Sequence, residues 1–448
     1  MTTKLSPDVF RTRRERFLDA LGDGVAVLPA APVRLRSNDS DHRYRADSDV
    51  LYLTDFAEPE CVAVFAPKHP EHQFVLFVRP RDPEREVWDG RRAGVEGAVA
   101  EFGADAAFPI EELDAKLPEY VDKCERLAYR LGRDEAFDRR VIELLMSYHT
   151  TRRAKGPGPH TIFDPGEIVH EMRLHKSPDE LAIMRHAASS SAEAHRAAMA
   201  AAMPGMHEYE LEALLEYTFR RLGGNGPAYP SIVGSGANAT ILHYIENSRR
   251  IEDGDLVLVD AGGEFGYYAS DITRTWPASG RFSAEQRAIY EIVLEAQLEA
   301  IAKVRPGITQ HEIHEGVVRT MTSGLVQLGL LEGPVDEAIE KGTYRTFYMH
   351  KTGHYLGMDV HDVGKYKTGD EWRPLEEGMV VTIEPGLYIA ADCESVAPQW
   401  RGIGVRIEDD VLVTADGHEV LSDAAPKHVA DLERIVGSAA RESVTSGV

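Results

Sequence analysis

The sequence predicts a mixed α/β protein of two domains: an amino-terminal α/β domain over residues 1–170, then a domain over 171–448 whose helices pack on a substantial antiparallel sheet. Three observations predict this. At 448 residues the chain exceeds what one compact core usually serves. Strand-like runs alternate with helical segments through about residue 150, as in an α/β layer. From "TRRAKGPGPHTIFDPGEIVHEMR" the composition turns to Gly, Pro and Lys/Arg, which reads as a linker with a boundary near residue 170.

In the first helix Phe10, Phe17, Leu18 and Leu21 share one face, and arginines cover the rest. The strand runs "GVAVLPA", "CVAVFAP" and "QFVLFVRP" follow, then "RLAYRLG" after a further helix. Beyond the linker, "SPDELAIMRHAASSSAEAHRAAMAAAM" opens with Ser177 as N-cap, Pro178 at the first helical position, and Asp179 and Glu180 in the first turn. Helices are expected at about 207–222, 283–304 and 309–330. Strands are expected in "DLVLVDAG", "ASDITRTW", "MVVTIEPGLYIA" and "GVRIEDDVLVT". No fixed-period repeat occurs, which argues against a solenoid.

Fifty basic against 74 acidic residues leave a formal charge of −24, which would repel nucleic acid or an anionic membrane. Cys61, Cys124 and Cys393 lie far apart without a CxxC, so neither a disulfide framework nor a cysteine metal site is expected, and a reducing cytoplasm fits. The start, "MTTKLSPDVFRTRRERFLDAL", carries charge where a signal peptide needs an apolar core, and no apolar run approaches the length of a membrane span.

Two motifs are decoys. "GSGANA" at 234–239 matches a dinucleotide fingerprint, but Pro230 precedes it and β-leaning "TILHYI" follows, where a helix should open. "HEIH" at 311–314 is one residue short of the zinc motif H-E-x-x-H and reads as ordinary helix surface.

The acids carry the chemistry. Asp260 ends one apolar strand and Asp271 begins another, and Gly262, Gly263 and Gly266 between them permit a hairpin that brings the two together. Glu384 interrupts an apolar strand ahead of Pro385 and Gly386, and Glu408 follows alternating Val405 and Ile407. Arg406 is not expected to neutralise Glu408, the two being assigned to opposite strand faces. If the four acids converge, each close pair costs on the order of 4 kcal/mol at an effective dielectric of about 20. Two divalent cations are the simplest neutralisation, and an added imidazole would suit manganese, cobalt or zinc better than calcium. Histidine is concentrated nearby: "YMHKTGHYLGMDVHDVG" at 348–364 holds His350, His354 and His361.

These blocks resemble the pita-bread metallopeptidases, whose ligands come in the order Asp, Asp, His, Glu, Glu. That order falls on Asp260, Asp271, His354, Glu384 and Glu408 within "LVDAGGEFGYYASDITRT", "HKTGHYLGMDVHDVG", "TIEPGLYI" and "GIGVRIEDDVLVT". Within the family the chain is similar to the aminopeptidase P branch, the Xaa-Pro aminopeptidases, through "SIVGSGANATILHYIENS", "DVHDVG", "RGIGVRIEDD", "SDVLYLTDFAEPECVAVF" and "EVWDGRRAG". Prolidase, which cleaves Xaa-Pro dipeptides, shares the metal blocks and is the alternative.

The resemblance implies a curved, mainly antiparallel catalytic sheet and hydrolysis of an N-terminal Xaa-Pro bond through a hydroxide held between two divalent ions, most simply Mn2+, with Zn2+ or Co2+ possible. It makes Glu384 a proton shuttle and puts His361 on the substrate carbonyl. His350 and His243 become pocket walls, and Tyr388 and Arg406 orient the ligands. Trp88 would reach a neighbouring subunit's pocket, implying a homo-oligomer.

Overall fold

The computed structural model describes residues 4–155 and 158–439. The chain divides into two compact units between Arg173 and Leu174. Among the described residues no helix is long and apolar enough to cross a membrane.

The amino-terminal unit is built on one six-stranded sheet in the order Ala106–Pro109, Phe74–Val78, Val62–Phe65, Val25–Pro29, Arg126–Ala128, Thr161–Phe163. The four expected runs all supply strands. Val62–Phe65 runs antiparallel to both neighbours, and the other pairings are parallel. Val27, Val64, Phe77 and Leu127 meet in its core.

Two expectations need correction here. The first helix, Pro7–Leu21, buries Arg13 and Arg14 along with Phe10, Phe17 and Leu21. The Arg13 guanidinium lies 3.9 Å over the Tyr52 ring and donates to the Tyr52 carbonyl, and Arg14 lies over Phe74 and donates to the Leu53 carbonyl. A planar guanidinium can stack on a ring while its N–H groups meet backbone oxygens, so burial leaves its charge satisfied. The segment read as linker also has structure: it contains the edge strand Thr161–Phe163 and the helix Gly166–Leu174. Its Gly and Pro residues bound these short elements rather than replace them.

The second unit carries the four expected helices as Pro178–Ala201, Glu208–Arg221, Ala284–Lys303 and Gln310–Gln327. Ser177 closes a capping box with Glu180 at the start of the first, as its sequence predicts. The expected antiparallel sheet is present as several short sheets. Leu256–Asp260 pairs with Ile232–Ser235 and Thr273–Pro277, Val380–Ile383 pairs with Asp409–Val413, and Gly386–Ile389 pairs with Ile403–Arg406, all antiparallel. Helices and sheets bury a common core that includes Trp276, Leu215, Val293, Val381 and Val405.

Three expected strands are interrupted. "MVVTIEPGLYIA" breaks at Glu384–Pro385, "GVRIEDDVLVT" breaks at Ile407–Glu408, and "ASDITRTW" leaves one strand at Ala269 and enters the next at Thr273. Asp260 does pair in register with Thr273. The connection is not a simple turn, however, because Gly263–Phe265 and Tyr268–Ala269 form a small hairpin of their own in another sheet. Gly266 and Tyr267, both at positive φ, make its tight turn.

Candidate metal centre

Each strand interruption delivers one acid. At the breaks, the Glu384 amide donates to the Thr352 carbonyl at 2.7 Å and the Glu408 amide to the Thr273 carbonyl at 3.0 Å. The chain therefore leaves one sheet without stranding a buried N–H, and the side chain at the bend turns inward. Asp260, Asp271, Glu384 and Glu408 all line one cavity of about 560 Å³, together with His243, His350, His354, His361 and Arg406.

His354 stands among the acids. Its Nε2 lies 3.4 Å from Asp271 Oδ2 and 3.6 Å from Glu384 Oε1, while its Nδ1 hydrogen-bonds the Tyr355 carbonyl at 2.9 Å. A carbonyl can only accept, so Nδ1 carries a proton, and Nε2 is the nitrogen turned toward the acids. Burial pushes the imidazole pKa down, but Asp271 and Glu384 outweigh it and raise it to about 9. Asp271, His354 and Glu408 each offer a ligand atom within 4.8 Å of the others.

Burial pushes every carboxyl here up, and partners decide the net result. Glu384 stands at about 7 because burial and the neighbouring aspartates outweigh His354 and Arg406. Glu408 is pushed well above its ordinary range by burial and three other acids, against one hydroxyl, Thr273 Oγ1, that donates to it at 2.6 Å. Burial also raises Asp260, although Arg406 Nη2 donates to it at 2.5 Å. Asp271 alone falls below its ordinary value, with His354 the main cause that offsets burial.

The structure supplies one correction on the acids. Arg406 and Glu408 are two residues apart across a strand break and are not on opposite faces: both line the cavity. Arg406 is nevertheless committed elsewhere: it donates to Asp260, to Tyr388 at 3.0 Å and to Thr273 at 3.1 Å. Tyr388 in turn meets His350 Nε2 at 2.9 Å. His361 is exposed at the cavity, its ring edge-on to His354 with centroids 4.4 Å apart, and His243 is exposed on the cavity wall. Trp88 lies 87% exposed on the helix Pro83–Asp89 of the amino-terminal unit.

"HEIH" is the second correction. His311 and His314 are three residues apart on the helix Gln310–Gln327 and so share a side; both line the cavity, with His314 Nδ1 2.8 Å from Thr352 Oγ1. "GSGANA" spans the end of strand Ile232–Ser235 and a 3-10 segment, Gly236–Thr240, so no α-helix opens there. Sequence reasoning missed Tyr229, whose hydroxyl bridges Asp260 Oδ1 at 2.7 Å and Asp271 Oδ1 at 2.5 Å. It also missed Asp410, which accepts from the Asp271 amide at 3.1 Å. A tyrosine beside a proline and a second acid after Glu408 carry no distinguishing signal.

The side chains fit a divalent cation. Buried Asp260, Asp271 and Glu408 and half-buried Glu384 gather around His354, and the Arg406 guanidinium already belongs to Asp260. Negative charge therefore remains around Glu408, Asp271 and Glu384, and the oxygen-rich set with one imidazole suits a divalent transition ion.

The comparisons agree with this chemistry. Residues 182–415 match metallopeptidase family M24, and residues 10–129 match the aminopeptidase P amino-terminal domain. The chain is 43% identical to the Xaa-Pro aminopeptidase of Escherichia coli over 98% of its own length and 100% of that protein's. It is similar to the structure of Pseudomonas aeruginosa aminopeptidase PepP, with 50% identity, a TM-score of 0.96, and coverage of 98% and 100% of the two chains. It also matches E. coli aminopeptidase P with the inhibitor Pro-Leu, at 43% identity and a TM-score of 0.94 over 98% and 100% of the chains. With kinship this extensive and ligand-type side chains gathered in one cavity, the chain belongs to metallopeptidase family M24.

Proposed function

We propose that this chain is an Xaa-Pro aminopeptidase, which hydrolyses the first peptide bond of peptides with proline second. The observation that carries it is the meeting of Asp260, Asp271, His354, Glu384 and Glu408 in one cavity, in a chain 43% identical over nearly its whole length to an Xaa-Pro aminopeptidase.

In this reading the five residues hold two divalent ions, manganese by preference, with zinc or cobalt also suited to the donors. Asp260, Asp271, Glu384 and Glu408 would supply the oxygens and His354 the one nitrogen that hold them. When bound, the ions supply Lewis acidity and bring the pKa of a water toward neutrality.

The chain's own groups do the rest. Proline's amide nitrogen bears no hydrogen and its ring fixes the backbone, so the leaving nitrogen needs a delivered proton and a shaped wall. Glu384, which faces the cavity beside His354, is the group to take a proton from water and pass it to that nitrogen. His361 donates to the scissile carbonyl oxygen as negative charge develops on it. The chain of hydrogen bonds from His350 through Tyr388 and Arg406 to Asp260 keeps that aspartate aimed, while His350 and His243 form the wall that the substrate meets. Trp88 of a neighbouring copy would complete this wall in a homo-oligomer.

Protein stripped of metal and assayed on an Xaa-Pro-Xaa peptide tests the proposal. Activity is expected to vanish on stripping and to return with manganese. Turnover without metal, or none after manganese is restored, would overturn it. Equal or faster cleavage of the dipeptide Xaa-Pro would move the assignment to prolidase.

A further inference from the structure

A histidine that must meet one developing oxyanion has to be held to about half an ångström. His361 has no visible means of its own. It is exposed at the cavity, and its side chain makes no hydrogen bond among the described residues, resting edge-on against the His354 ring.

Its chain neighbour is held firmly. Asp362 Oδ2 accepts from Lys176 Nζ at 3.1 Å, and the Asp362 amide donates to the Tyr355 carbonyl at 2.8 Å. Both side chains of the ion pair are 1% exposed. Lys176 is anchored at its other end, its amide donating to the Gly378 carbonyl at 2.9 Å. The pair also lies directly under the segment that carries His354: a Cβ on Gly357 would fall 2.0 Å from Asp362 Oδ2 and 3.0 Å from Lys176 Cε.

A buried ion pair is a poor stabiliser, because desolvating two charges offsets most of their attraction, and a well-packed apolar pair often does as well. What it supplies is direction. Asp362 cannot shift or rotate without leaving an uncompensated charge inside the protein, so the backbone that begins at His361 has one low-energy position.

We propose that Lys176 and Asp362 form a positioning pair that aims His361 into the cavity, with neither residue touching substrate. This rests on the role given to His361 above.

The test is a cycle of Lys176→Met, His361→Ala and the double variant, followed by kinetics on an Xaa-Pro-Xaa peptide and by NMR of 15N-labelled histidine rings. Lys176→Met is expected to lower kcat on the order of 100-fold, as an ångström of misplacement does, with KM little changed. In the His361→Ala background it should lower kcat no further, since the lysine acts through that ring. The His361 resonance, identified by its loss in His361→Ala, should move or broaden in Lys176→Met. An equal kcat loss in both backgrounds, an undiminished kcat, or an unmoved resonance in the folded variant each overturns the proposal. Should Lys176→Met fail to fold, Asp362→Asn, which keeps the shape of the side chain, gives the same comparisons. If the Xaa-Pro reading itself fails, the unaltered protein shows no turnover, and the resonance still decides the positioning role.

Discussion

His195 shows how far a single buried group reaches. It is fully buried in the helix Pro178–Ala201, its Nε2 hydrogen-bonded to the Ala261 carbonyl at 2.8 Å while Nδ1 has no partner. Ala261 follows the candidate ligand Asp260, so this bond braces the strand end that delivers it. Burial lowers the imidazole pKa to about 4, against about 6.5 in an unfolded chain. As pH falls, the unfolded chain takes up this proton first. Stability is therefore complete above about pH 6.5 and is lost progressively down to about pH 4, by roughly 3 kcal/mol in all. Urea unfolding of metal-stripped protein between these pH values should show a steeper loss for the wild type than for His195→Gln; equal slopes would refute the assignment. Nothing in "SAEAHRAAM" marks this histidine, because an imidazole in an alanine-rich helix reads the same buried or exposed. Asp260, Asp271, Glu384 and Glu408 were legible because a carboxylate in an apolar strand is anomalous without compensation. Tyr229 and Thr273 were not, since hydroxyl side chains are ordinary in such places.

At the scale of elements, the four long helices of the second unit announced themselves and strand interruptions did not. Caps are local: Ser177 and Glu180 meet within three residues of sequence, as do Ser283 and Gln286. The partners that let a strand stop are distant, as when the Glu408 amide finds the Thr273 carbonyl. Close approach of two segments is equally invisible until the fold is known. A Cβ on Gly353 would lie 1.9 Å from the Thr382 carbonyl oxygen, and the neighbouring His354 exchanges hydrogen bonds with Thr382 through its amide and its carbonyl. Gly353→Ala must push these segments apart and carry His354 with them. We expect manganese affinity, measured by calorimetry, to fall at least about 10-fold while far-ultraviolet circular dichroism keeps its helical shape. Unchanged affinity would show that the contact is not needed to place the ligand.

For the whole molecule, the length implied more than one core, and the structure divides into two units. The Gly- and Pro-rich stretch hid a strand and a helix, because the residues that bound short elements are the same ones that fill linkers. Val87 and Trp88 are 81% and 87% exposed on one short helix. If Trp88 enters a neighbouring copy's pocket, Trp88→Ala should lower the molar mass found by light scattering or raise KM for an Xaa-Pro-Xaa peptide; no change in either would remove it from the site. By itself the sequence determined the fold class, the long helices of the second unit and which acids are anomalous, because caps, periodicity and apolar surroundings are written within a few residues. Only the tertiary structure decided that Arg406 serves Asp260, that Tyr229 ties two aspartates together, and that His311 and His314 face the cavity. Those are choices among partners remote in the chain, made by which backbone segments pack closely enough to meet.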